Sequence, residues 1–275
     1  PPVGVWTVLF GGVTAAIVAL PLALAFGVQS GMGAIAGLYG AIALGILAAL
    51  FGGTPTQISG PTGPMAVVAS AIIAGEIAIY GSLDAALGTI IATFVLAGII
   101  QIIMGISRIG QYIRYMPYPV VSGFMSGIGL IIIIMQMFPF FGLSSPKTII
   151  DVVSSLGDIF SSMNFQAVGL SMATIVIIYL FPYITKAIPS TLMALVVLSI
   201  LSTLLGLHVP IIGDIPQGLP DVHLDTLFAM DWHHPMVMII PAVTLAALGA
   251  IDSLLTSVVA DNMTKTQHNS NKELI

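Results

Sequence analysis

The stretch VMIIPAVTLAALGAIDSLLTSVVAD, residues Val237 to Asp261, decides the fold of this chain. It is an apolar run long enough to cross a bilayer, with one carboxylate, Asp252, near its middle and hydroxyls around it. An Asp at the centre of a spanning helix costs about 2.5–3.5 kcal/mol on insertion scales, so it must face protein or a wet cavity and have a partner. On a helix Ser253 and Thr256 follow one and four residues later, and Thr256 shares the face of Asp252. A carboxylate with a hydroxyl one turn away is hard oxygen chemistry, suited to a small cation or a proton. The plainer alternative is a carboxyl held neutral by that hydroxyl, but ionisable groups inside spans are by default functional candidates.

The rest of the chain has the same character. Hydrophobic residues make up 57% and charged residues 6%, with a mean hydropathy of +1.11, against roughly 25% charge in a soluble domain. Apolar runs recur along the whole length, which excludes a signal peptide or a single anchor and makes the membrane region the protein itself. The absence of cysteine excludes disulfides and thiolate metal sites. The sequence begins at Pro1 and stops at Ile275 inside a polar segment, as expected of a fragment.

In chain order, a first span is predicted from about Val5 to Leu20, interrupted at Pro21 and continuing as Leu22 to Phe26, so the helix is expected to kink or unwind there. The second, Gly33 to Phe51, carries Gly33, Gly37, Gly40 and Gly45, spaced to let helices approach closely. The stretch GGTPTQISGPTGPM, residues 52–65, cannot be continuous helix, and the run after it, Met65 to Ala74, is short for a span. This predicts a half-helix whose amino end, Thr62 to Ala66, exposes free N–H groups and the positive end of the helix dipole to an anion. A short extended piece, about Thr56 to Ser59, is expected to lead into it. The ordinary alternative is an interhelical loop.

Further spans follow at about Leu83 to Met104, Val120 to Phe138 with Gly123-x-x-x-Gly127 as a packing face, Ala167 to Ile184, and Ser190 to Leu205. Between them, Leu143 to Asn164 has Ile149, Ile150, Val153, Leu156 and Phe160 at helical spacing and is expected at the membrane interface. Gly206 to His234 reads as a long acidic, Pro-rich loop, and Asp252 is the only acidic residue placed deep inside a span. Eight spans with the amino end cytoplasmic put Arg108, Arg114, Lys186, Lys265 and Lys272 inside and Lys147 outside, with Asp214, Asp221, Asp225 and Asp231 outside. Val13-Thr14-Ala15-Ala16 also echoes Val243-Thr244-Leu245-Ala246, which sets Leu22 opposite Asp252 and suggests that the eighth span opens an inverted repeat of the first seven.

Other chemistries fail on spacing. Asp231-Trp232-His233-His234, with His223 nearby, lacks the spacing that converges ligands on one metal and reads as a solvated loop. There is no HExxH, no P-loop and no dinucleotide fingerprint. An intramembrane aspartyl protease needs a second deep Asp, and Asp261 lies too far along the helix to serve. No His lies within a span to activate a serine, so an enzyme is disfavoured. A membrane scaffold or receptor is disfavoured too, since it needs neither the buried charge nor the broken spans.

The runs PLALAFGVQSG at 21–31, AGLYGAI at 36–42, GGTPTQISGPTGPMAVV at 52–68 and SLLTSVVADNMTKTQHNSNKEL at 253–274 resemble the SulP family of inorganic anion transporters, most closely its cyanobacterial branch of sodium-dependent bicarbonate transporters. The resemblance covers the whole chain. It implies an all-α integral membrane fold of two inverted seven-span repeats, of which the first eight spans are present, followed in the full protein by the remaining spans and a cytoplasmic STAS domain. It further implies core-domain spans at 1–104 and 235–262, gate-domain spans at 105–205, an extracellular loop at 206–234 and the start of a cytoplasmic loop at 263–275. By the same analogy Pro21, Leu22, Phe26, Thr62 and Gly63 line the anion side, while Asp252 and Thr256 take sodium. Many relatives carry Glu where this chain has Asp252.

The expectation is a secondary transporter of the bacterial plasma membrane, homodimeric at full length and with both ends of this chain cytoplasmic. It imports bicarbonate with sodium as coupling ion, needs no other cofactor and binds no nucleic acid. Sulfate or another oxyanion, driven by sodium or protons, is the alternative.

Overall fold

The computed structural model describes residues 5–115, 117–146, 149–185, 188–211 and 235–275. Helix α1 (Val5–Ser30) runs through Pro21 without a break, so the unwinding expected there does not occur. A proline removes one N–H and crowds one carbonyl, and the apolar residues on both sides continue the helix around that defect. Gly31 (φ +86°) and Gly33 (φ +93°) then turn the chain in the left-handed region, which favours glycine, into α2 (Ala34–Phe51). A Cβ on Gly37 would strike the Ala23 carbonyl oxygen and lie 2.7 Å from Gly27 Cα, so this glycine permits the α1–α2 approach. Gly40, Gly45 and the Gly123/Gly127 pair have open space at that position, so they do not act as packing faces among the described residues.

Residues 57–62 carry neither helix nor strand, and Thr62 is in extended backbone (φ −118°, ψ 149°). Helix α3 (Gly63–Tyr80) begins with Pro64 in its first turn, where the missing N–H costs nothing. It is longer than the half-helix expected: its 18 residues reach span length. The apolar run expected to end at Ala74 continues as helix through Gly75 and Glu76, whose side chain is buried against protein. Helix α4 (Leu83–Ile106) starts from Ser82, whose hydroxyl accepts from the Ala85 amide at 3.3 Å. A 3₁₀ turn, Ile109–Tyr115, follows.

Then come α5 (Tyr118–Met135), α6 (Met137–Phe140), α7 (Ile149–Ser154), α8 (Leu156–Ser162), α9 (Phe165–Ile184), α10 (Ser190–Leu204), α11 (Pro235–Thr264) and α12 (Ser270–Glu273). Among the described residues six helices are long and apolar enough to cross a membrane, namely α1, α2, α3, α4, α9 and α11. The expected fifth and seventh spans are helical as well, as α5 with 18 residues and α10 with 15. The expected interfacial segment is split into α7 and α8. Val152 and Ile159 turn inward while Ile150, Val153 and Phe160 are exposed, so the predicted apolar stripe faces away from this chain. The acidic loop's residues 212–234, Lys147 and Lys186, on which orientation depends, lie outside the described residues.

The chain divides into two compact units, residues 1–22 with 129–214, and 23–128 with 215–275. In the first, α9 packs on α10, and Asn164 caps α9 by accepting from the Gln166 and Ala167 amides. In the second, α3, α4 and α11 form the core. Ala97, Ala242, Leu245 and Ala246 pack where α4 meets α11, and Ala69, Ile73, Ala86 and Ile90 where α3 meets α4. Small residues at these contacts bring the helix axes close, which drives packing where lipid competes with every apolar side chain.

The tail after α11 does not leave the unit as a free loop. Lys265 takes a left-handed turn (φ +58°), and Asp261 Oδ2 accepts from the His268 amide at 2.9 Å and pairs with His268 Nδ1 at 2.6 Å. The reversed chain brings Leu274 into a buried cluster with Ala250, Leu254 and Leu255.

Candidate functional site

The connection from α2 to α3 is held from two sides. The Gly53 amide donates to Glu273 Oε2 at 2.8 Å, the Thr54 hydroxyl donates to the same oxygen at 2.9 Å, and the Asn269 amide donates to the Gly53 carbonyl at 3.0 Å. A Cβ on Gly53 would lie 2.6 Å from the Glu273 amide nitrogen, so only glycine admits the returning tail here. From α11, the fully buried Ser257 hydroxyl lies 2.8 Å from Thr54 Oγ1 and donates toward Gln57 Oε1 and the Ser253 carbonyl, each at 2.9 Å. The Ser253 hydroxyl donates to Glu273 Oε1 at 3.0 Å. Both oxygens of one carboxylate thus tie three stretches of chain together.

This frame fixes the amino end of α3. Thr62 occupies the N-cap position without capping its own helix, and its buried hydroxyl has no partner among the described residues. The Gly63 and Met65 amides have no carbonyl within α3 to meet, and Pro64 has no amide, so the helix end presents N–H groups and the positive end of its dipole. A cavity of about 570 Å³ opens beside it, lined by Thr62, Met65, Gln57, Gln101, Asp252, Ser253, Thr256 and Glu273 among others. A Cβ on Gly249 would lie 2.9 Å from Gln101 Nε2 and 3.4 Å from Met65 Cε, so the missing side chain lets α3, α4 and α11 converge at this level.

Asp252 is buried at 8% exposure and makes no ion pair among the described residues. The Thr256 hydroxyl donates to the Asp252 carbonyl at 2.8 Å, which engages its proton within the helix and leaves its lone pairs for the cavity. Lys272 is the one basic residue in the lining, among the described residues. The arrangement therefore offers oxygen ligands and negative charge along α11, and donors with positive dipole at the start of α3.

The structure brings Thr62, Asp252 and Thr256 around one cavity, with the buried Gly63 next in chain. Phe26 is half-buried on α1 and does not line it; Pro21, half-buried, and Leu22, exposed, belong to the other compact unit. Sequence reasoning missed Gln101, Ser257 and Glu273 at this site, and, outside it, the burial of Glu76. Gln101 and Glu76 are legible as lone polar residues in apolar runs, the signal used for Asp252. Glu273 carries no such signal, because only the folding back of the tail brings it to the site.

Comparison with known proteins identifies the family and the fold. The sulfate permease family pattern matches residues 6–275. The bicarbonate transporter BicA of Picosynechococcus sp. is 45% identical over 97% of this chain and 48% of its own length. The solved transmembrane domain of a cyanobacterial bicarbonate transporter BicA superimposes with a TM-score of 0.86 at 48% identity, covering 97% of this chain and 68% of that one. The murine Slc26a9 anion transporter in its inward-facing state shares the fold, with a TM-score of 0.78 at 21% identity over 97% of this chain and 48% of that one. The chain spans about half the length of the curated relatives it matches. It belongs to the sulfate permease family, and its described residues form a helical, multi-pass membrane fold.

Proposed function

We propose that the full-length protein imports bicarbonate across a bacterial plasma membrane by symport with sodium. The observation that carries this reading is the single cavity shared by Asp252, Thr256 and the unpartnered Thr62 hydroxyl at the start of α3. Sodium bound by the Asp252 carboxylate and the Thr256 lone pairs cancels a buried negative charge beside the anion. Each ion then favours binding of the other, and by thermodynamic linkage the factor is the same in both directions. The anion is held by Thr62 and the first-turn amides of α3, a charge-assisted contact that a helix amino end supplies.

The name of the BicA relatives supports bicarbonate; the family's name supports sulfate as a second reading, because a helix amino end attracts either oxyanion. In this proposal the spans of residues 1–104 and 235–262 carry the ions, those of 105–205 form the gate, both ends of this chain are cytoplasmic and the full protein is a homodimer. Uptake of labelled bicarbonate and of labelled sulfate by full-length protein in vesicles, each with and without an inward sodium gradient, tests it. The expected result is bicarbonate uptake that rises with the gradient. Sulfate uptake in its place moves the assignment to the second reading, and bicarbonate uptake indifferent to sodium defeats symport.

A further inference from the structure

The α3–α11 pair carries a second cavity, of about 520 Å³, that shares no lining residue with the first. Its walls are apolar, including Val68, Ile72, Ile79 and Ile240, and its one ionisable lining residue is Glu76. Glu76 is 3% exposed, and its Oε2 has no hydrogen-bond partner among the described residues. The one hydroxyl of the lining among the described residues, that of Thr244, donates to the Ile240 carbonyl at 2.9 Å, so its proton is already engaged.

Among the described residues no cation is at hand. Helices α3, α4 and α11 contain no Lys, Arg or His, and their other acidic groups are Asp84 in the first turn of α4 and Asp252 and Asp261 on α11, none of which lines this cavity. Tyr80, on α3 itself, packs against the cluster of Ala69, Ile73, Ala86 and Ile90. A metal ion requires several oxygen ligands, whereas this cavity supplies one carboxylate among aliphatic side chains. A proton requires one. The ionised form is disfavoured twice over: an unpaired buried carboxylate neutralises rather than remain charged, and near the carboxyl end of α3 it would oppose the helix dipole.

We propose that Glu76 is a proton-binding site inside the membrane, separate from the Asp252 cavity, its carboxyl holding a proton in the apolar pocket between α3 and α11. About 20 Å of helix, thirteen residues at the α-helical rise, separates it from Gly63 at the other end of α3. The proton on Glu76 therefore sits apart from the ions proposed for the first cavity.

Infrared spectroscopy of the full-length protein in lipid, comparing the parent with Glu76→Gln, tests this. The parent is expected to show the carbonyl stretch of a protonated carboxylic acid at neutral pH, shifted in D₂O and missing from Glu76→Gln. That variant, a neutral side chain of the same size, is expected to keep sodium-driven uptake within about twofold. Loss of an ionised carboxylate band in Glu76→Gln, in place of the acid band, would overturn the proposal and point to an ion pair with a cation elsewhere in the protein. If Glu76→Gln does not accumulate, dicyclohexylcarbodiimide, a membrane-soluble reagent for protonated carboxyls, decides on the parent. An adduct mapped to Glu76 and not prevented by sodium supports the proton site, and an unmodified Glu76 from neutral to acidic pH overturns it.

Discussion

The two ends of the α3–α11 pair each bury one carboxylate, and what surrounds it differs in kind. Asp252 shares its cavity with Thr256, Ser253, Gln57, Gln101 and the donors that begin α3, whereas Glu76 is walled by valine and isoleucine. In an apolar medium a charge survives only where other polar groups share it, so the same residue class suits the ion binding proposed at one end and the protonation proposed at the other. The count of oxygens around a buried acid, more than the acid itself, sets its chemistry. The polar end is also the braced end, where Glu273 and Ser257 clamp the loop before α3.

Neutralising Asp252 is the harshest test of this contrast. Asp252→Asn in the full-length protein is expected to abolish sodium-stimulated uptake, read as initial rate against sodium concentration at fixed pH, while weakened sodium-independent anion binding survives on the dipole of α3. Persisting wild-type sodium dependence would remove Asp252 from the cation site. A smaller loss is expected on the anion side. Thr62→Val removes one hydroxyl donor to a charged ligand and should weaken anion affinity about tenfold, at roughly 1.5 kcal/mol for such a bond. Unchanged affinity would leave Thr62 a spacer. Smallest is Thr256→Val, which deletes one neutral oxygen and should raise the sodium concentration for half-maximal uptake about threefold to tenfold, without abolishing transport. Thr244→Val, beside Glu76 at the opposite end, should move neither affinity; a shift as large as that of Thr256→Val would erase the distinction between the two ends.

How much of this was written in the sequence follows from how local each signal is. Helix positions are set by apolar runs and their punctuation, and the proline-rich 52–64 stretch and the expected start at Leu83 mark ends that the structure keeps. The Asp252–Thr256 pairing is likewise local, one turn of one helix. Where reasoning stopped short, the deciding contacts lay far apart in the chain. The length of α3 depended on burial of Glu76 by neighbours, and the role of Glu273 depended on residues 219 and 220 positions away. Pro21 shows the converse: a residue read as a breaker leaves the helix continuous, because one lost hydrogen bond is outweighed by the turns on either side.

The central claim is that sodium at Asp252 and the anion at the start of α3 occupy one cavity and stabilise each other. Equilibrium titration of purified full-length protein tests it most directly, with sodium affinity measured with and without saturating bicarbonate, and bicarbonate affinity with and without saturating sodium. The account predicts that each ion tightens the other by the same factor, between about 5-fold and 150-fold for a coupling of typical size, and that both factors fall to one in Asp252→Asn. Two ions that bind independently in the parent protein would contradict it.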